Sequence, residues 1–274
     1  MWNDYVGKKR NIPKGTSLTE FYDILELNRF WGGQGIIPQN SEQLIQQRNS
    51  VKQNVSSKFP PKDSDKLRLR VCIERIRSLN APILTTNFDT YISDSVGVTP
   101  HKLKLTGNQY KFTDFYPWNM YYSDKEISNP LDEFAVWHIN GTCKYPRSIR
   151  LGLSDYMGSV ERARKMIQGN NLEECFAGKN QSYWAGYNTW LHIIFNKSLF
   201  IFGLGLEENE VFLRWLLIQR AKYCKMYNKP LKGWYIGKKD KDINDGKKFF
   251  LEQLGFEVID ISDYNTLYQA LETL

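Results

Sequence analysis

From residue 81 onward, short apolar runs alternate with stretches of helical periodicity, and that alternation leaves few architectures open to the chain. The runs Pro82–Thr86, Phe134–Ile139, Ser148–Leu153, Ser198–Leu204, Leu231–Ile236 and Phe256–Ile261 have the length and apolar content of strands. Asp155–Ile167, Tyr183–Phe195, Glu208–Met226, Asp245–Leu254 and Tyr264–Leu274 read as helices. Strands that alternate with helices join through crossover connections. The expected fold is therefore an α/β domain with a mostly parallel sheet and helices on both faces, a nucleotide-binding architecture in outline. Fold alone does not fix function.

Residues 1–80 read differently, as a helical and polar N-terminal part of the same domain. Ser17-Leu18-Thr19-Glu20 has the form of a capping box, in which hydroxyl and carboxylate satisfy orphan amides, so a helix is expected over Leu18–Phe30. Gly32-Gly33-Gln34-Gly35 interrupts the chain. A peripheral helix is expected over Ser41–Lys58, ended by Phe59-Pro60-Pro61, and an amphipathic one over Ser64–Asn80 with Leu69, Cys72, Ile73, Ile76 and Leu79 on one face. Within the core, Lys102–Pro130 is rich in aromatics and irregular, and is expected to lie over the sheet as an insertion.

A chain of 274 residues that is 41% hydrophobic and 14% aromatic can bury a sizeable core without staples. Its longest apolar stretches, such as Trp190–Phe195 and Ser198–Leu206, fall well short of the roughly 20 residues that cross a bilayer. No basic patch followed by an apolar segment opens the sequence, so a cytoplasmic protein is expected. The four cysteines form no C-x-x-C pair, and neither a disulfide framework nor a zinc site is expected. The net charge of +7 is dispersed rather than gathered into one block, which does not indicate a nucleic-acid partner. An anionic dinucleotide would be drawn to such a surface as well.

Three places carry residues suited to chemistry. Ile83-Leu84-Thr85-Thr86-Asn87-Phe88-Asp89 is an apolar strand ending in polar residues, and in open α/β sheets ligands bind beyond the carboxyl ends of strands. Thr86, Asn87 and Asp89 would stand there, although Asp89 could equally cap the next helix while Asn87 makes a turn. Val136-Trp137-His138-Ile139-Asn140-Gly141 places His138 at another strand end, where it could transfer protons or serve as a satisfied structural histidine. Phe202-Gly203-Leu204-Gly205-Leu206 is a Gly-x-Gly turn between a buried strand and a helix. Gly203 and Gly205 could let a ligand approach the backbone, whereas Glu207, Glu208 and Glu210 already complement the helix dipole and weaken the case for a phosphate.

Taken in order, these elements resemble those of the bacterial sirtuin-like (silent information regulator-type) family, in its antiphage-defence branch. Thr85-Thr86-Asn87-Phe88-Asp89 looks like the family's T-[TQ]-N-x-D motif, and His138 with Gly141 looks like its histidine-glycine element. Pro146 to Leu151 with Asp155-Tyr156 resembles the segment that follows, and Phe202 to Leu206 occupies the place of the late nucleotide loop. The likeness covers roughly residues 81–261. It implies a Rossmann-like sheet that binds NAD as substrate, through Thr86, Asp89, Gly203 and Gly205. It further implies that Asn87 contacts the nicotinamide ribose and the reacting water, and that His138 is the general base. The implied outcome is hydrolysis of NAD to nicotinamide and ADP-ribose, an abortive-infection response that depletes the infected cell. The implied assembly is an oligomer or hetero-complex with an infection-sensing partner encoded nearby. The zinc ribbon of protein-deacylating relatives needs two cysteine pairs, and only Cys143, Cys175 and Cys224 follow His138, so no metal is expected.

The sequence departs from the family at its start. Met1-Trp2-Asn3-Asp4-Tyr5-Val6 looks like the W-x-x-L helix that normally follows a glycine-rich G-A-G-x-S loop, and no such loop stands nearby. Either the chain starts late or this member lacks part of its phosphate cradle. The competing expectation is accordingly a catalytically inactive member that binds a nucleotide or scaffolds a defence complex.

Overall fold

In the computed structural model the described residues are 15–31, 40–56, 66–103, 118–168, 184–239 and 241–273. Among the described residues, helices α1 (Leu18–Trp31), α2 (Ser41–Ser56) and α3 (Lys66–Ser78) come first. The capping box of α1 forms as the sequence predicts: the Ser17 amide donates to Glu20 Oε2 at 2.8 Å, and the Glu20 amide to Ser17 Oγ at 3.1 Å. Gly32-Gly33-Gln34-Gly35 and the expected continuation of α2 to Lys58 lie outside the described residues.

The rest runs β1 (Ile83–Thr85), α4 (Tyr91–Ser95), β2 (Thr99–Lys102), β3 (Met120–Ser123), β4 (Val136–His138), α5 (Leu153–Gln168), α6 (Trp190–Asn196), β5 (Leu199–Phe202), α7 (Val211–Met226), β6 (Gly233–Lys238), α8 (Asp245–Gln253), β7 (Phe256–Ile261) and α9 (Tyr264–Thr273). Where one mostly parallel sheet was expected, the strands form two. The first has the order β1-β4-β3-β2 and the second β5-β6-β7. In the first sheet β1 and β4 are parallel while β3 and β2 run antiparallel; the second is parallel throughout.

Two stretches differ from their sequence reading. Part of the aromatic segment Lys102–Pro130 belongs to the sheet, because Tyr121 and Tyr122 are buried on opposite faces of β3 and fill positions that aromatic side chains favour in strands. Ser148–Leu153 is no strand: Pro146–Ser148 makes a 3-10 turn and α5 begins at Leu153. The Ser148 hydroxyl accepts from the Thr142 amide (3.0 Å) and donates to the Tyr145 carbonyl (2.6 Å), which folds this segment onto the preceding turn and keeps it from a ladder. Of Tyr183–Phe195, the helix occupies only the end. Thr189 caps α6 by accepting from the Leu191 amide at 3.2 Å.

Side-chain alternation assigns each sheet face to a helical layer. Leu84 and Trp137 of the first sheet, and Ile201, Tyr235 and Phe256 of the second, pack into one large core with α6 and α7. On the opposite face, Ile83 and Val136 meet Ile73 of α3. Phe202, Ile236 and Ile259 meet Cys72 of α3 and Leu267 and Leu271 of α9. Helices thus bridge both sheets from both sides, although no hydrogen-bonded ladder joins β1 to β5. Among the described residues, no helix is long and apolar enough to cross a membrane.

Candidate functional site

The parallel register of β1 and β4 sets Thr85 opposite His138, so the two polar strand ends seen in the sequence lie side by side. Past β1 the chain turns sharply. The Asn87 amide donates to Thr85 Oγ1 (3.1 Å), and Asp89 Oδ1 accepts from the Tyr91 amide (3.0 Å) at the start of α4. These bonds belong to the structural alternative left open for the two residues: Asn87 makes a turn, and Asp89 holds the first amide of α4, although Thr90 occupies the cap position itself. The loop after β4 is tied to this turn twice, by His138 Nδ1 on the Asn87 carbonyl (3.1 Å) and by the Cys143 amide on the Phe88 carbonyl (2.6 Å).

His138 is 2% exposed, with the Tyr122 ring edge-on at 5.3 Å. A carbonyl can only accept, so Nδ1 carries the proton and Nε2 presents its lone pair. Nε2 is buried with no hydrogen-bond partner. Burial pushes the imidazole pKa down, against the opposing pull of the Asn87 carbonyl and Asp89, so the ring is neutral at physiological pH. A neutral imidazole with an unused lone pair is the form a general base requires. The other described histidines are spent on structure. His101 stacks on Tyr121 at 5.6 Å; His192 Nδ1 accepts from Trp184 Nε1 at 3.1 Å and lies 3.0 Å from Asn196 Nδ2.

A cavity of about 830 Å3 opens between β1 and β5. At the carboxyl ends of the two strands it is lined by Thr86, Asn87, Asp89 and Gly203. Four of the residues singled out from sequence thus share one cleft. His138 and Gly205 are not in its wall. His138 lies behind Asn87, and the Gly205 carbonyl is turned toward Lys247, whose Nζ donates to it at 2.7 Å.

The Gly203–Leu206 turn is strapped from within by residues that sequence reasoning passed over. Tyr235 Oη donates to the Leu204 carbonyl at 2.6 Å, and buried Lys247 also holds Glu207 Oε1 at 2.7 Å and the Asp242 carbonyl at 2.9 Å. Gly203 has a φ of +66° and empty space where a Cβ would stand, so the backbone is open to the cleft at that point. Just before α7, Glu210 has a buried Oε2 without a partner, and burial with Glu207 nearby pushes its pKa up to about 7 against the pull of Lys247. Glu210 was read from sequence only as a charge near a helix start. Its burial arises from tertiary packing and leaves no local signature.

Among the described residues, no group of three or more His, Cys, Asp and Glu is placed to hold a metal ion. The chain matches no protein-family model and no curated protein sequence.

Proposed function

We propose that this chain is the NAD-hydrolysing subunit of a bacterial, sirtuin-like antiphage-defence pair, with a Rossmann-like core and its substrate at the carboxyl ends of β1 and β5. The observation that carries the reading is His138: a neutral imidazole, its Nδ1–H fixed by the Asn87 carbonyl and its Nε2 unpartnered, one strand from the residues that line the cleft. In the reaction, water adds to C1′ of the nicotinamide ribose as nicotinamide departs with the bonding pair. Asn87 positions that water and His138 Nε2 takes its proton. The substrate's ribose and pyrophosphate lie along Thr86, Asp89 and Gly203. Enclosure of Nε2 fits an effector that stays silent in the cytoplasm until its infection-sensing partner moves the Asn87 turn.

Nicotinamide release tests this, measured for the chain alone, with the product of the neighbouring gene, and for His138→Ala in each setting. The expected result is slow release alone, faster release with the partner, and a loss of roughly 100-fold or more in His138→Ala. Release that persists undiminished in the variant would sink the chemistry. A second reading, a non-catalytic nucleotide-binding or scaffold subunit, is favoured by the inward-turned carbonyls of the Gly203–Leu206 turn and by the acidic residues around it. Absence of release under every condition would select it.

A further inference from the structure

The stretch that leaves β1 and returns to β2 carries the Asn87 turn and α4, and it forms one side of the enclosure around His138. The charges acting on the imidazole belong to Asp89, Asp94 and Lys144. Two of these lie on the stretch, and the third is an ion-pair partner of Asp94. Tyr122 connects the group, with its ring edge-on to His138 at 5.3 Å and Lys144 Nζ 5.7 Å from the ring centroid. The same cluster of apolar side chains holds Tyr122, Val136 and Ile92 of α4, on the sheet face to which His138 also belongs. α4 and the Lys144 loop therefore cover the imidazole together.

This cover is weakly built. α4 has five residues, too few for a helix to be stable by itself. Two of the five are serines, whose hydroxyls donate to the Thr90 and Ile92 carbonyls at 3.0 and 2.8 Å and so compete with the helical amides. Thr90 gives the helix no side-chain cap, and the buried residue of α4 is the polar Ser93. Beyond it, buried Val96 and Val98 anchor the return to β2, so the part free to open ends at Ser95. Asp94 supplies the ties that hold α4 in place. Its carboxylate accepts from the Thr90 hydroxyl at 2.5 Å, across the helix, and from Lys144 Nζ at 2.9 Å, in the loop after β4. Both members of the ion pair are about half exposed, within reach of solvent ions.

We propose that α4 is a gate over His138 and that the Asp94–Lys144 ion pair is its latch: parting the pair lets α4 unwind and opens Nε2 of His138. Short segments with few apolar anchors open locally while the rest of a fold stays closed. An exposed ion pair biases such an equilibrium by no more than about 5-fold, which suits a latch that must release. Any group that competes for either charge favours the open form. The gate rests on the reading of His138 as a general base and deepens it by naming the element that opens. Its test reads the imidazole and not nicotinamide, so either idea can fail while the other stands.

Diethyl pyrocarbonate acylates the unprotonated nitrogen of a neutral imidazole, and mass spectrometry of the digested chain gives a separate rate for each histidine. His101, partly exposed and stacked on Tyr121, is the reactive reference, and buried His192 reports any opening of the whole core. In the parent protein His138 should react more slowly than His101. Lys144→Gln and Asp94→Asn should each speed the reaction at His138 by up to about 5-fold with His192 unchanged, and the double variant should go no further than the faster single one. Salt at about 0.5 M should speed the parent and leave the variants as they are. Ser95→Ala, which removes a competing hydroxyl and favours the helix, should slow His138 about 2-fold. The proposal is overturned if His138 reacts in both charge variants at the parent rate, if its rate rises only in step with that of His192, or if in the parent it already matches His101.

Discussion

Glu210 shows how one side chain can work against the fold that contains it. Its Oε2 is buried without a partner, and its pKa is pushed up to about 7. The folded state therefore binds a proton more tightly than the unfolded chain does. Stability from this group is fully present below the unfolded value of 4.5 and is lost as pH rises through 7. Glu210→Gln should raise the unfolding free energy at pH 8 by about 2 kcal/mol and change it little at pH 4. Urea unfolding at the two pH values measures this, and equal effects at both would contradict it. Arg220 is the opposite case. Its buried guanidinium donates to the carbonyls of Ile194 (3.0 Å), Lys197 (3.2 Å) and Lys232 (3.0 Å), pinning the end of α6 to the approach to β6. Its charge is met by peptide dipoles rather than by a carboxylate.

Among the elements, the turn after β4 fixes the candidate base. Gly141 has a φ of +92°, and a Cβ there would stand 2.3 Å from the Ser148 carbonyl oxygen, so both conformation and contact require glycine. Gly141→Ala should destabilise the protein by about 2 kcal/mol or more and displace His138, because the clash is with backbone that cannot swing aside. A melting temperature equal to the parent's would refute that. The glycine itself was legible in the sequence, and so were the two strand ends with Asn87 and His138. The periodicity of β7 and of α7 to α9 also marked those elements to within a few residues. What stayed hidden was decided across the chain. Ser148–Leu153 is apolar enough for a strand, but a serine hydroxyl committed to a turn overrode that pattern. β2 and β3 join residues on either side of a long connection, and the polar Thr-Pro-His-Lys of β2 carries no strand signal of its own. Lys247 and Tyr235 reach the glycine turn from β6 and α8, a convergence that no local spacing reveals.

At the scale of the whole molecule, acid is the expected weakness. His138 and His192 are both kept neutral by burial, the latter's pKa pushed down to about 4. Groups with depressed histidine pKa values contribute fully above the unfolded value of 6.5, and their contribution is lost as pH falls below it. Glu210 gains over part of the same range and masks some of the loss. The urea midpoint should therefore drop between pH 7 and pH 5, and drop further in Glu210→Gln; a midpoint that rises on acidification in that variant would exclude the account. The line between the two sheets has a different consequence. Strand edges recruit neighbouring chains into aggregates unless something blunts them. At the outer rims this chain carries such residues, Pro100 and Lys102 on β2 and Glu257 and Asp260 on β7, whereas Leu84 and Phe200 face each other without any. Those two edges lie between helical layers, α3 and α9 on one face and α6 and α7 on the other, even though the Phe200 side chain is 45% exposed. What shields this inner line from a foreign sheet is the helices above and below it, a guard made of shape rather than of charge.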